Sequence, residues 1–408
     1  MNIEIKKNSK FSNLVNFSQN HEERVHRWFK IKEGYSKELV FAIIKQLDVK
    51  EGYIVDFFNG SGTTSLAAKE IGYKYYGFEI NPFLHLLSVV KITDYNKNDI
   101  KNIISTKKFI LSDYTKVKKV NNIKLSILEK VFRENLDNIL KVRTIILGIK
   151  SKKIRNFFII ALVSILEDVG YSKKDGNGLK YPKNKQAKEF VSKFSAQTDL
   201  MLDDIIKNNK KNIKKSRVIL ADSRNIPKRY INEIKNETSL IIFSPPYANC
   251  FDYSEVYKLE LWLSDYIKEY KDLSVVRKQS LSSHLNKHLK DYNDYDLLIN
   301  DIEKLKQKKL WSKKIPSMLN GYFFDMEEVL KNAFNILKKG GHCVIIVGNS
   351  AYGGHIIKTD VILSKIGLRL GFSKVEINIA RKLRASSQQA KLFKNGEALR
   401  ESVIIMTK

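Results

Sequence analysis

The chain has 408 residues, with 73 Lys+Arg against 44 Asp+Glu and a formal net charge of +29. Hydrophobic residues make up 43%, enough for a substantial core and too many for a chain disordered throughout. Its 2 cysteines, Cys250 and Cys343, exclude a disulfide scaffold and a Cys-based zinc site, and fit a reducing cytosol.

The first residues, MNIEIKKNSKFSN, carry no apolar core, which predicts no signal peptide. Residues 37–47 have apolar residues at helical spacing. A short strand over 53–58 runs into a glycine-rich turn, Asn59-Gly60-Ser61-Gly62-Thr63-Thr64. A helix over 65–71 follows, ended by Gly72. A second strand over 74–78 ends at Glu79 and completes a βαβ unit. Residues 122–147 and 151–170 read as helices, the second apolar enough to be buried. Its apolar run, Phe157 to Leu166, is too short to span a bilayer. Residues 184–213 read as a polar amphipathic helix. Strands resume at 217–221, leading to Asp222, and at 240–243, leading to Ser244-Pro245-Pro246-Tyr247. Residues 253–269 read as helix, and 270–320 as a polar, irregular insert, mobile or ordered by a partner. A helix over 325–338 precedes a strand over 342–347. Strands over 374–381 and 402–407 close the chain as an antiparallel hairpin. The expected fold is α/β and Rossmann-like, with a mostly parallel sheet. One domain over 20–90 and 215–408 is split by a largely helical basic insert at 91–214 and a second insert at 265–322.

The charge is uneven. Residues 91–220 hold 30 Lys+Arg and 13 Asp+Glu, a net of +17. More than half of the excess in about a third of the chain favours a polyanion partner, nucleic acid first, over compositional drift. Lys173, Lys174 and Lys180 surround an Asp-Gly-Asn-Gly turn, with Tyr181 beside them. That arrangement suits phosphate contact with a stacking option, and equally a solvated loop. Arg381, Arg384 and Gln388 lie in a basic, amide-rich loop between the last two strands. They can read base edges or phosphates; a plain surface hairpin has the same composition.

A strand, a glycine-rich turn and a helix N-terminus form a nucleotide-type cradle, and Glu79 at the next strand end suits a ribose diol. No Gly-Lys-Ser/Thr is present, so this is not a P-loop, and the third glycine of a dinucleotide fingerprint is absent. A ligand with a ribose and no phosphates, such as S-adenosylmethionine, fits better. Asp56-Phe57-Phe58-Asn59-Gly60-Ser61-Gly62-Thr63-Thr64 resembles the D-P-F-x-G-S-G-T-T motif of amino-group DNA methyltransferases, with Phe57 in place of the usual Pro. Glu79-Ile80-Asn81-Pro82 is similar to the acidic motif after the second strand, and Ala221-Asp222-Ser223-Arg224 to the one whose acid binds the cofactor's adenine amine. His26-Arg27-Trp28-Phe29 and Gly34-Tyr35-Ser36 resemble the N-terminal cofactor-closing motif. The resemblance implies a methyltransferase fold and S-adenosylmethionine contacts from Trp28, Phe29, Ser36, Asp56, Phe57, Phe58, Asn59, Gly60, Gly62, Thr63, Thr64, Glu79, Ile80, Asn81, Asp222 and Ser223. No metal site is expected.

Ser244-Pro245-Pro246-Tyr247 follows an apolar strand, so it falls at the carboxyl edge of the sheet, where open α/β folds bind ligands. Prolines leave carbonyls with few local donors, Ser244 adds a hydroxyl acceptor, and Tyr247 a flat ring. Together they suit an exocyclic amine on a planar base, which must leave the duplex to reach them. Cys250, four residues on, reads as packing. Tyr253 and Tyr257, one helical turn apart, fit a base pocket or a core equally. In the resembling family a Ser at the first position points to cytosine N4 rather than adenine N6. The resemblance implies double-stranded DNA as substrate, a cognate restriction endonuclease as partner, and a monomer acting on each strand in the cytoplasm. An adenine N6 or RNA base-amine methyltransferase, and a non-catalytic nucleic-acid binder, are the competing readings.

Overall fold

The computed structural model describes residues 3–31, 33–118, 126–176, 178–207, 215–286, 293–383, 393 and 398–408. Its strands are β1 (Ile3–Lys7), β2 (Tyr53–Asp56), β3 (Lys74–Glu79), the short pair β4 (Lys173–Asp175) and β5 (Gly178–Lys180), β6 (Arg217–Leu220), β7 (Thr238–Phe243), β8 (Leu337–Gly348), the short pair β9 (Ser350–Tyr352) and β10 (His355–Ile357), β11 (Lys374–Leu383) and β12 (Leu399–Thr407). Eight form one sheet in the order β1-β11-β12-β8-β7-β2-β3-β6. The run from β8 to β6 is parallel, whereas β12 is antiparallel to both β8 and β11. The fold is therefore α/β with a mostly parallel sheet and a C-terminal antiparallel hairpin. β1, which the sequence did not announce, adds a parallel edge beside β11, with Ile3 opposite Val375. β2 and β7 are buried along their whole length, the condition of strands covered on both faces.

Helices α1 (Lys37–Gln46), α2 (Thr63–Ile71) and α3 (Pro82–Ile92) flank the first strands. α2 starts after Gly62, whose φ of 83° and closeness to Ser88 leave no room for a side chain. α3 is set by Asn81, whose side chain accepts the Phe83 and Leu84 amides, with Pro82 in the first turn. Between β3 and β6 lie α4 (Lys97–Asp113), α5 (Ser126–Phe132), α6 (Leu136–Gly148), α7 (Lys152–Ser164), α8 (Leu166–Val169) and α9 (Phe190–Ile206). These helices have no separate core. Phe157, Phe158 and Phe194 pack in one cluster with Trp28, Phe29, Phe83 and Leu87. The chain finishes with α10 (Lys228–Ile234), α11 (Tyr253–Val256), α12 (Lys258–Leu263), α13 (Leu273–Gln279), α14 (Ile299–Lys306), α15 (Ile315–Ile336) and α16 (Thr359–Leu370).

Several expected elements divide or move. The helix read over 122–147 splits, in its described part from Ser126 on, into α5 and α6 around Arg133, at φ 42°; residues 122–125 lie outside the described residues. The one over 151–170 splits into α7 and α8, and that over 253–269 into α11 and α12. Of the helix read over 184–213, α9 starts only at Phe190, where the Glu189 side chain accepts the Val191 and Ser192 amides, and runs to Ile206; residues 208–213 lie outside the described residues. The stretch 270–320, read as irregular, holds α13, α14 and the start of α15. Leu281, Tyr295, Leu298, Ile302 and Leu305 from it are buried in the same core as β7 and β8. Their wide spacing among charged residues hid that burial from a composition reading. Among the described residues no helix is long and apolar enough to cross a membrane.

Candidate active site

A cleft of about 1120 Å³, counting its open mouth, lies at the carboxyl ends of β2, β3, β6 and β7. Its floor is the turn after β2. Asp56 Oδ1 accepts the Phe58 amide at 2.9 Å and Oδ2 the Tyr35 hydroxyl at 2.9 Å; that hydroxyl is 2.5 Å from Thr64 Oγ1. Burial pushes the Asp56 carboxyl up to about 6, against those donors. Glu79 accepts the Gly60 amide at 2.7 Å and the Asn81 amide at 2.8 Å. Burial pushes it up to about 7, with the same two amides opposing and nearby Asp56 adding to the rise. The Asn59 side chain accepts the Ser65 hydroxyl at 2.6 Å and lies against Gly77, where an added Cβ would meet it at 2.5 Å. The amide nitrogens of Asn59 and Asn81 are buried without a protein acceptor among the described residues.

Asp222, just past β6, lines the same cleft. Arg224 clamps its carboxylate with contacts of 2.6–3.1 Å, and reaches Asp325 on α15 at 2.9 Å and the Gln279 carbonyl at 2.7 Å. Asp325 in turn accepts the Ser282 amide at 2.8 Å. These bonds pin the end of α13 and the segment after it against the cleft, so that Val276, Gln279, Ser280, Leu281, Ser283 and His284 form a wall. Asp252 anchors that wall from below, accepting from Arg277 at 2.9 Å and Asn286 at 2.9 Å. Burial alone would raise its carboxyl; His284, Asn286, Ser254 and Arg277 together hold it below the usual range.

Ser244 and Pro246 border the cleft, and Pro245 is buried between them. Tyr247 lies over Gly348, where an added Cβ would meet its ring at 2.8 Å. Its hydroxyl donates to Glu401 at 2.6 Å, and Arg381 Nε donates to the other Glu401 oxygen at 2.5 Å. Tyr352 donates to the Ala248 carbonyl at 2.6 Å, closing the turn from the other side. Burial pushes the Cys250 thiol up, which suits a packing residue rather than a nucleophile. Tyr253 borders the cleft, whereas Tyr257 is buried in the core with its hydroxyl toward Glu33.

Of the residues expected at the cofactor, Asp56, Phe57, Phe58, Asn59, Gly60, Thr63, Glu79, Ile80, Asn81, Asp222 and Ser223 line this one cleft. Gly62 and Thr64 stand just behind it and shape the turn. Trp28, Phe29 and Ser36 do not reach it. The Trp28 indole donates to buried Asp204 at 2.9 Å, Phe29 packs on Phe83 and Tyr257, and Ser36 donates to the Leu14 carbonyl at 3.0 Å. Ile31, Glu33, Gly34 and Tyr35 take their place at the cleft. The lysine turn also departs from expectation. Lys174 points inward, paired with buried Glu260 and set 4.9 and 4.5 Å from the Phe29 and Tyr257 ring centres. Lys180 pairs with Asp175, and Lys173 is exposed. Arg381 is turned to Glu401 rather than outward, while Arg384 and Gln388 lie outside the described residues. The sequence reading missed Tyr35, Arg224, Asp252, His284 and Glu401. Tyr35 and Arg224 stood inside quoted motifs without being assigned a role; Asp252, His284 and Glu401 act across the fold from segments with no pattern of their own.

Glu33, Asp56, Glu79, Asp222 and Asp252 line the cleft, and no Lys or Arg does among the described residues. Such a lining favours a cationic ligand and disfavours phosphates. The DNA methylase family N6_N4_Mtase matches residues 4–90. The Type II methyltransferase M.BsoBI of Geobacillus stearothermophilus is 28% identical over 454 residues, covering 97% of this chain and 88% of that protein. The Type II methyltransferase M.AvaI of Nostoc sp. is 28% identical over 446 residues, covering 97% and 89%. M.MvaI of Kocuria varians, also a Type II methyltransferase, is 20% identical over 352 residues, covering 78% and 74%. These similarities support the amino-group methyltransferase family for this chain.

Proposed function

We propose that the chain is a site-specific DNA methyltransferase that moves a methyl group from S-adenosylmethionine to the N4 amine of a flipped cytosine. We place it in a restriction–modification system beside a cognate endonuclease, acting as a monomer. The observation that carries this reading is the single acidic cleft that joins the glycine turn, Glu79 and Asp222 to Ser244 and Pro246. The family match and the Type II relatives support a DNA substrate, and the +29 charge agrees with it. The Ser at the head of the turn favours cytosine.

The residues present fit the cofactor. Glu79 keeps acceptor capacity for a ribose diol, and Asp222, held by Arg224, for the adenine amine. The orphan amide nitrogens of Asn59 and Asn81 are donors for ligand oxygens, and Gly77 keeps the turn low enough to leave room. S-adenosylmethionine supplies an electrophilic methyl group when bound. Ser244 Oγ and the Pro245 carbonyl accept the target N–H groups, which turns the nitrogen lone pair out of the base's π system. Glu401 fixes the Tyr247 hydroxyl and so the angle at which its ring meets the base. Rate comes mainly from holding the two reactants in line. The nitrogen sheds its proton after transfer, so a base of high pKa is not required.

The test is transfer of labelled methyl from S-adenosylmethionine to duplex DNA and, separately, to total tRNA, followed by nucleoside analysis. Label in N4-methylcytosine of DNA is expected. Label in N6-methyladenine would reassign the base, and label confined to tRNA would overturn the DNA reading.

A further inference from the structure

Trp311 is 65% exposed, the most exposed large hydrophobic side chain described, whereas Trp28 and Trp262 are buried at 2% and 0%. It sits in the turn between α14 and α15, within Lys308-Lys309-Leu310-Trp311-Ser312-Lys313-Lys314, and all four lysines are exposed. None of the four enters an ion pair with a described residue. A solvated loop has no use for a bare indole among uncompensated charges; an aromatic ring framed by cations is the chemistry that stacks on a nucleobase beside its phosphates.

The turn's place in the fold gives that chemistry a target. α15 is the crossover helix that feeds β8, which runs parallel to β7, so its first residue, Ile315, starts from the carboxyl edge of the sheet, the edge of the catalytic turn. The turn is tied to that edge at two points. Lys308 packs on Gly353, and His355 Nε2 meets Asp301 of α14 at 2.7 Å, which joins α14 to the β9–β10 hairpin. Tyr352 of that hairpin donates to Ala248, the residue after Tyr247.

We infer that Trp311 and its four flanking lysines form a DNA-contact element, the indole stacking on a base that loses its neighbour when the target nucleotide is extruded, the lysines on flanking phosphates. This rests on the DNA reading above. Extrusion breaks a stack, and a ring offered from the protein replaces part of it.

Intrinsic fluorescence reads this directly, because the other two tryptophans are buried. Duplex DNA should quench the emission and shield it from iodide. Trp311→Ala should abolish both effects and weaken DNA binding roughly ten-fold, with cofactor KM unchanged, and Trp311→Phe should recover most of the affinity. Lys313→Ala with Lys314→Ala should lower the salt slope of binding. Methylation of DNA by the wild-type protein without any change in emission, or wild-type affinity in Trp311→Ala, would overturn the inference and leave the proposed function standing. Absence of methyl transfer to any DNA strikes the proposed function instead; the fluorescence titration still decides the contact either way.

Discussion

Glu79 carries a conflict that pH can expose. It is buried at the end of β3, with two amides on its oxygens and a carboxyl pushed up to about 7. In the free protein this shift makes the ionised carboxylate a cost. That cost is absent below the ordinary value of 4.5 and grows as pH rises to about 7. A ribose diol donates two hydroxyl hydrogens and needs the ionised form. Cofactor affinity should therefore rise with pH from about 6 to 8, and binding near pH 6 should release a proton. Calorimetry in buffers of different ionisation enthalpy measures both; Glu79→Gln should bind about 1.5–3 kcal/mol more weakly and flatten the profile. The catalytic turn makes a different prediction. Ser244→Ala removes one of the acceptors proposed for the target amine, and Glu401→Leu releases the Tyr247 hydroxyl. Both should lower kcat about ten-fold or more, while KM for the cofactor stays as it was; equal loss in both constants would mean the turn had collapsed.

At the scale of elements, a buried pair anchors the β4–β5 hairpin, beside the Lys174 amide's bond to Glu167 at 3.2 Å. Lys174 and Glu260 have side-chain exposures of 14% and 3%, with the Phe29 and Tyr257 rings around the ammonium. Lys174→Ala leaves Glu260 buried and alone, and should cost about 3–5 kcal/mol in denaturant unfolding. Lys174→Met combined with Glu260→Leu should recover most of it, because both charges leave together and Met still fills the space between the rings. In sequence the hairpin read as a solvent-facing lysine turn, since composition does not tell an inward lysine from an outward one. The β2–turn–α2–β3 unit was legible for the opposite reason. Its strands are short apolar runs, its turn needs glycines at fixed places, and its acids stand at strand ends, all local signals. The wall after α13 was illegible because its order comes from distant partners, Arg224, Asp325 and Asp252, and no local period encodes them.

The whole molecule separates two electrostatic regimes. Its surface carries most of a net +29, and Lys308, Lys309, Lys313 and Lys314 stand exposed at the edge where the catalytic turn lies. The cleft beneath is lined by five carboxylates or carboxyls and by no Lys or Arg among the described residues. Phosphates are thereby attracted to the rim and turned away from the floor, while a sulfonium and an ammonium are welcome inside. Salt should act on the two ligands differently. DNA binding neutralises phosphates and releases counterions, so its logarithm should fall linearly with log salt, with a slope near −0.9 per phosphate contacted. Six to ten contacts would lose about 10³–10⁵ in affinity between 50 and 200 mM. On the proposed reading, cofactor binding rests on hydrogen bonds to buried groups, screened little by salt, and should change less than about three-fold over the same range. Anisotropy for DNA and calorimetry for the cofactor give both curves. A flat DNA curve would reduce the +29 to composition, whereas a cofactor curve as steep as that for DNA would mean the acidic floor is open to solvent ions.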